Sequence, residues 1–154
     1  MKTVAWFLKS WLPVLIWMSV IFSFSTDIGS SRHTSRIIEP IVRWLIPNIS
    51  ETALDRIKLT VRKGGHVSEY AILAALIWRA LRSGSQRGNS PKPWRRRDAL
   101  TAVAIAACFA ATDEWHQSWV PSREAQVSDV ALDTLGASAG MMILWLGGRA
   151  FKRW

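Results

Sequence analysis

Residues 112–140 read TDEWHQSWVPSREAQVSDVALDTLGASAG, and the fold is decided by how this stretch is read. It packs Asp113, Glu114, His116, Gln117, Arg123, Asp129 and Asp133 between two runs without charge, residues 99–111 and 135–147. Ionisable groups at the ends of membrane-length segments are costly. They face a protein interior or a wet cavity, and they mark a site. The hairpin is therefore the expected working centre.

Working outward, the 154 residues suffice for a single domain, 1–154. The chain is 49% hydrophobic, holds ten Trp and carries a formal charge of +9. Its bases cluster between apolar runs, whereas a nucleic-acid domain spreads Lys and Arg over one folded face. The expected partner is a lipid bilayer and not a nucleic acid. Cys108, the single cysteine, lies within an apolar run and reads as a small apolar side chain.

Four spans follow, at about residues 4–24, 61–81, 99–119 and 127–146. The first holds Lys9 near its start, where it can snorkel, and Pro13, whose freed backbone a neighbouring helix must satisfy. A secretory signal is the competing reading, but FSFSTD lacks an A-x-A cleavage site. Residues 26–62 are too charged to span and too greasy for a free loop. They read as short amphipathic helices in the interface, or as a lid folded over the bundle. Ser50 is placed to cap a second short helix over residues 51–62, with Glu51 in its first turn. Gly64 and Gly65 mark a bend or a close backbone approach. The fold class is all-α: a polytopic four-helix membrane bundle with an extra amphipathic segment between spans one and two. Weighting the short WRRR loop at residues 94–97 puts both termini in the cytoplasm. His66, Glu69, Asp113–Gln117, Arg123, Asp129 and Asp133 then all fall at the outer face.

Helical spacing groups them further. Lys63, His66 and Tyr70 share a face. So do Asp113, His116 and Gln117, and so do Asp129, Asp133, Gly136 and Gly140. The two glycines permit a small-xxx-small contact that brings the Asp pair against a neighbour. The short loop makes spans three and four antiparallel neighbours, with Pro121 ending one helix and Ser128 capping the next. Three chemistries fit. His66 or His116 can act as general base, oriented by a carboxylate, while Arg123 or Lys63 holds a phosphate or carboxylate. His66, Glu69, Asp113 and His116 can bind a metal that activates water. Or the network only pins helix register, with Glu114 and Asp133 as partners for Arg123 or Lys63. A transporter is less well supported, since no internal repeat is visible.

At these residues the chain resembles the VanZ-like family of bacterial membrane proteins. KGGHVSEYAILAAL (63–76) and residues 113–140 carry the pattern K-x-x-H-x-x-E-Y, D-E-x-H-Q, an Arg, then D-x-x-x-N-x-x-G. Lys63, His66, Glu69, Tyr70, Asp113, Glu114, His116, Gln117, Arg123, Asp129 and Gly136 match, while Asp133 stands where the family has Asn. The resemblance implies a multi-pass protein of the bacterial inner membrane, in a family linked to resistance to the glycopeptide teicoplanin. It specifies no reaction and no cofactor. The expected function is an outward polar pocket engaging an anionic lipid or lipid-linked envelope precursor. Catalytic candidates are His66, Glu69, Asp113 and His116, and binding candidates are Lys63, Tyr70, Glu114, Gln117, Arg123, Asp129 and Asp133. The alternatives are an accessory membrane protein held together by its polar network and a metal-dependent membrane hydrolase. The oligomeric state is left open.

Overall fold

A computed structural model describes residues 2–25, 31–83, 93–119 and 126–152 of the chain. Five helices succeed one another: α1 (Lys2–Phe24), α2 (Ser31–Leu45), α3 (Glu51–Ser83), α4 (Arg96–Gln117) and α5 (Val127–Ala150). Among the described residues there is no strand. The all-α expectation therefore holds.

α3 touches each of the other four helices. Its tightest partner is α5, because glycine lets the two backbones meet. A Cβ on Gly136 would lie 2.6 Å from the Val67 carbonyl oxygen, and one on Gly140 would lie 2.8 Å from the Ala71 Cα. Successive contacts rise together along both chains, so α3 and α5 run in the same direction. The α1 contacts run the other way: Trp17 Nε1 donates to the Glu69 carbonyl at 2.9 Å, and Ser83 Oγ donates to Ser10 Oγ at 2.7 Å. The core between the helices combines large side chains of α1 and α3, such as Ile21, Leu73, Ile77 and Trp78, with a stripe of small ones. α4 buries Ala99, Ala102, Ala106 and Ala110, and the same stripe ends in Asp113 and Gln117. α1 buries Ser10, Val14, Ile21 and Ser25 at similar spacing. Many larger apolar side chains point outward instead, among them Phe7, Leu15, Ile16, Leu100, Leu135, Ile143 and Leu146.

Pro13 sits inside α1. It frees the Lys9 carbonyl, and one residue on, Arg79 of α3 donates to the Ser10 carbonyl at 3.3 Å. Arg82 lies over the Trp78 ring and donates to the Pro93 carbonyl. These contacts tie the start of α1, the end of α3 and the approach to α4 together at one end.

Several expectations change. Residues 51–62 are not a separate short helix. They are the first turns of α3, which runs unbroken for 33 residues. Gly64 and Gly65 do not interrupt it and admit no close neighbour, since nothing lies within 4 Å of a Cβ built on either. A mid-helix glycine costs only about 1 kcal/mol against Ala, too little to break a helix with good formers on both flanks. Ser50 does cap this helix, accepting from the Ala53 N–H at 3.3 Å. Two helices, Val4–Phe24 and Val127–Ala150, are long and apolar enough to cross a membrane by composition. α3 and α4 fall short because Arg62, Lys63, His66 and Glu69, and Asp113, Glu114 and His116, lie within them. Cys108 is exposed on α4, not buried.

α2 packs in reverse direction along the first turns of α3. Arg43 pairs with Glu39 and Glu51, and Lys58 pairs with Glu39 and Asp55. Its apolar residues Ile37, Ile41, Trp44 and Leu45 face outward. Arg43, and then Lys58, hold the Glu39 carboxyl below its ordinary value of 4.5. A lowered carboxyl pKa stabilises the folded pair above the unfolded value, and that contribution is lost as pH falls through the folded one.

Two outcomes follow from this packing. Gly136→Ala and Gly140→Ala each force α3 and α5 apart and lower stability in detergent by about 1–3 kcal/mol. Gly147→Ala, with open space around it, leaves the unfolding midpoint unchanged or raises it. Hydrogen exchange should show α2 loosening below about pH 4.5 and in high salt, with Glu39→Gln already loose at neutral pH.

Candidate functional site

Four segments deliver polar side chains to the end of the bundle away from Arg79 and Arg82. The end of α1 supplies Ser25. The middle of α3 supplies His66, Glu69 and Tyr70. The end of α4 supplies Asp113, Glu114, His116 and Gln117. The start of α5 supplies Asp129 and Asp133. The glycine contact sets the α3–α5 part, because Asp133 is one turn before Gly136 and His66 directly precedes Val67. His66 Nδ1 and Asp133 Oδ1 lie 3.4 Å apart, with the Asp133 side chain only 3% exposed. That distance allows attraction between charges. It lacks hydrogen-bond geometry, so both atoms still need a partner.

On the α1–α4 side the arrangement is closed. Asp113 Oδ2 accepts from Ser25 Oγ at 2.6 Å and from Gln117 Nε2 at 3.0 Å. Gln117 Nε2 also donates to Ser25 Oγ at 3.2 Å. All three residues are buried. Burying a carboxylate is costly without such donors, so this triad fixes the end of α1 against α4. Glu114 Oε1 accepts the backbone N–H of Gln126, the residue that precedes α5. It helps satisfy the α5 N-terminus from another helix, beside Asp129 in the first turn. Ser128 is not the cap; it lies inside α5 and its hydroxyl donates to the Gln126 side chain.

Elsewhere the cluster is open. Tyr70 is fully buried, and its hydroxyl has no hydrogen-bond partner. The same is true of Asp113 Oδ1 and His116 Nδ1. The His116 ring packs on Phe22, with centroids 4.2 Å apart. Buried polar atoms are nearly always paired with protein or water, so a group of orphans at one spot calls for an explanation.

Of the eleven candidates, the structure gathers His66, Tyr70, Asp113, Glu114, Gln117 and Asp133 into the interior, with Glu69, His116 and Asp129 half-buried beside them. Lys63 is exposed at the rim, one turn before His66. Arg123 and Pro121 lie outside the described residues. Asp133 therefore partners His66, not Lys63, and Glu114 partners the Gln126 backbone. The proposed metal quartet does not assemble: among the described residues no three His, Cys, Asp or Glu side chains are grouped to hold a metal ion. Ser25 was missed. Its only signal was its place at the end of the first apolar run, which patterning treats as a boundary and not as a contact.

Removing the Ser25 hydroxyl leaves Asp113 one donor short. Ser25→Ala should lower the unfolding free energy by roughly 1.5–3 kcal/mol, the worth of a hydrogen bond to a charged group, as read from denaturant unfolding in detergent.

Set beside known proteins, residues 10–148 match the family model described as VanZ/LLP1. No curated protein and no solved structure matches the chain.

Proposed function

We propose, from the premise that this chain belongs to the VanZ/LLP1 family, that it is an integral membrane protein of the bacterial envelope whose polar end binds the head group of an anionic lipid or lipid-linked precursor. α1, α3, α4 and α5 cross the bilayer, and α2 with the first turns of α3 stands beyond it. Support comes from the distribution of side chains. Alanines and polar residues share the interior with Leu73, Ile77 and Trp78, while many large apolar side chains face out on α1, α4 and α5. A bundle clad this way needs an apolar surrounding. α1 at 23 residues and α5 at 24 are each about 35 Å long at 1.5 Å per residue, enough for a hydrocarbon core of about 30 Å. α3 and α4 carry their charges at the ends or against other helices, where intramembrane polar groups are tolerated. Arg79, Arg82, Arg95, Arg96, Arg97, Arg149 and Lys152 belong to the end away from the cluster. That end is cytoplasmic in this reading, and the polar cluster faces outward.

The orphan atoms carry the functional reading. A network serving only to hold helices would be closed, as Ser25, Asp113 and Gln117 are. His66, Tyr70, Asp133 and the second Asp113 oxygen are instead left with hydrogen-bonding capacity. His66, paired with Asp133 and close to the rim, is the group placed to accept or deliver a proton. Lys63 at the rim is placed for a phosphate. The closed triad favours a second, structural role for its own three members.

The test uses cells lacking the chain, complemented with His66→Gln or Asp133→Asn. Both variants should reach the membrane within about twofold of wild-type levels and fail to restore envelope integrity, glycopeptide tolerance included. If the cluster is only scaffold, the same variants lose roughly 3–5 kcal/mol, and their abundance falls with their function.

A further inference from the structure

Among the described residues, the polar end buries three carboxyls, and His66 faces one of them. Asp113 and Asp133 are each 2% exposed and Glu114 is 7% exposed. Glu69 and Asp129 are half-buried around them. Of the described bases there, His66 is half-buried and faces Asp133, Lys63 is exposed and Arg62 sits at the rim. An acidic cluster alone specifies nothing. Tyr70 adds the second observation: the ring is fully buried, the hydroxyl is unpartnered, and it lies in the electrostatic field of Asp113, Asp133, Glu69 and Glu114.

Three oxygens are then left over, one from each of α3, α4 and α5: Tyr70 Oη, Asp113 Oδ1 and Asp133 Oδ1. Carboxylate oxygens only accept. A hydroxyl can donate to one acceptor and still accept from elsewhere. A phosphate or carboxylate pushed among them would set acceptor against acceptor and charge against like charge. An ammonium supplies three donors and a positive charge, and it gains most where water is excluded. Among the described residues, Arg62 and Lys63 stand at the entrance, one turn before His66.

From this asymmetry, which rests on the head-group reading above, we propose that the ligand bears a primary ammonium beside a phosphate, with the ammonium among Tyr70, Asp113 and Asp133 and the phosphate at Arg62 and Lys63. An aminated glycerophospholipid and a prenyl-linked amino-sugar precursor share this chemistry.

Thermal unfolding of the purified full chain in detergent separates the possibilities with two matched pairs of probes. The first pair is short-chain phosphatidylethanolamine and phosphatidylglycerol. The second is farnesyl diphosphate carrying glucosamine and the same lipid carrying glucose. The amine-bearing member should half-saturate the midpoint shift at a concentration at least tenfold below that of its partner. The pair in which this occurs identifies the source. Asp133→Asn keeps the side-chain shape and should abolish the preference, while Asp55→Asn, on the exposed face of α3, should retain it. Asp113→Asn also loses the Ser25 and Gln117 contacts, so Asp133→Asn is the deciding variant. Equal responses within both pairs, or a preference that survives Asp133→Asn, overturn the ammonium assignment and leave head-group binding intact. No shift with any probe overturns both.

Discussion

The backbones of α3 and α5 meet at Gly136 and Gly140, and the polar end of the molecule is placed by that contact. Any side chain larger than hydrogen at either position would have to displace the α3 main chain. In the proposed membrane setting, helix association gains little from hydrophobic burial, and close packing of small residues takes its place. The same close approach carries Asp133, one turn earlier, to His66. The packing device and the chemical pair are thus one structural unit read at successive turns. Alanine does the corresponding work in α4, whose buried stripe runs from Ala102 through Ala106 and Ala110 into Asp113 and Gln117.

The polar end divides into two parts with different physics. Ser25, Asp113 and Gln117 form a closed knot joining α1 to α4, in which a buried carboxylate receives two donors on one oxygen. Such a knot is costly to break and does little beyond holding position. His66, Tyr70 and Asp133 sit across from it with unused hydrogen-bonding capacity. Rigid, satisfied neighbours holding a few unsatisfied groups in place is how a binding site is kept in shape. At the opposite end Arg79 and Arg82 donate to carbonyls, and Arg82 lies over an indole face.

Much of this was legible in the sequence, for a specific reason. Helical spacing depends only on local geometry, so the shared face of Asp133, Gly136 and Gly140, the convergence of three helices at one end, and the Ser50 cap could all be read from residue order. Partners were not legible, because they depend on which helix lies opposite. Lys63 looked like a natural counter-ion for Asp133, yet His66 faces it, and the Gln126 backbone N–H that Glu114 accepts has no sequence signal. Ser25 gave no signal, since a lone serine after an apolar run has no period. Gly64 and Gly65 misled because paired glycines suggest a break, whereas the intact hydrogen-bond ladder of a 33-residue helix outweighs them. Hydropathy underrates α3 and α4 for the reason that makes them interesting: it scores as solvent-seeking the side chains that the fold turns toward other helices.

The central claim is that α4, a helix too polar to register as a span, crosses the bilayer with its polar stripe inward. Cys108 is the single cysteine, and it is exposed midway along α4. Alkylation of Cys108 in intact membranes tests the claim directly. The account predicts that a membrane-impermeant, hydrophilic maleimide leaves it unlabelled, because a thiol facing hydrocarbon meets neither the reagent nor the water it needs to ionise, and that Cys108 reacts after denaturation in SDS. Rapid labelling of Cys108 by the hydrophilic reagent in sealed, undisturbed membranes would place that face of α4 in water and contradict the account.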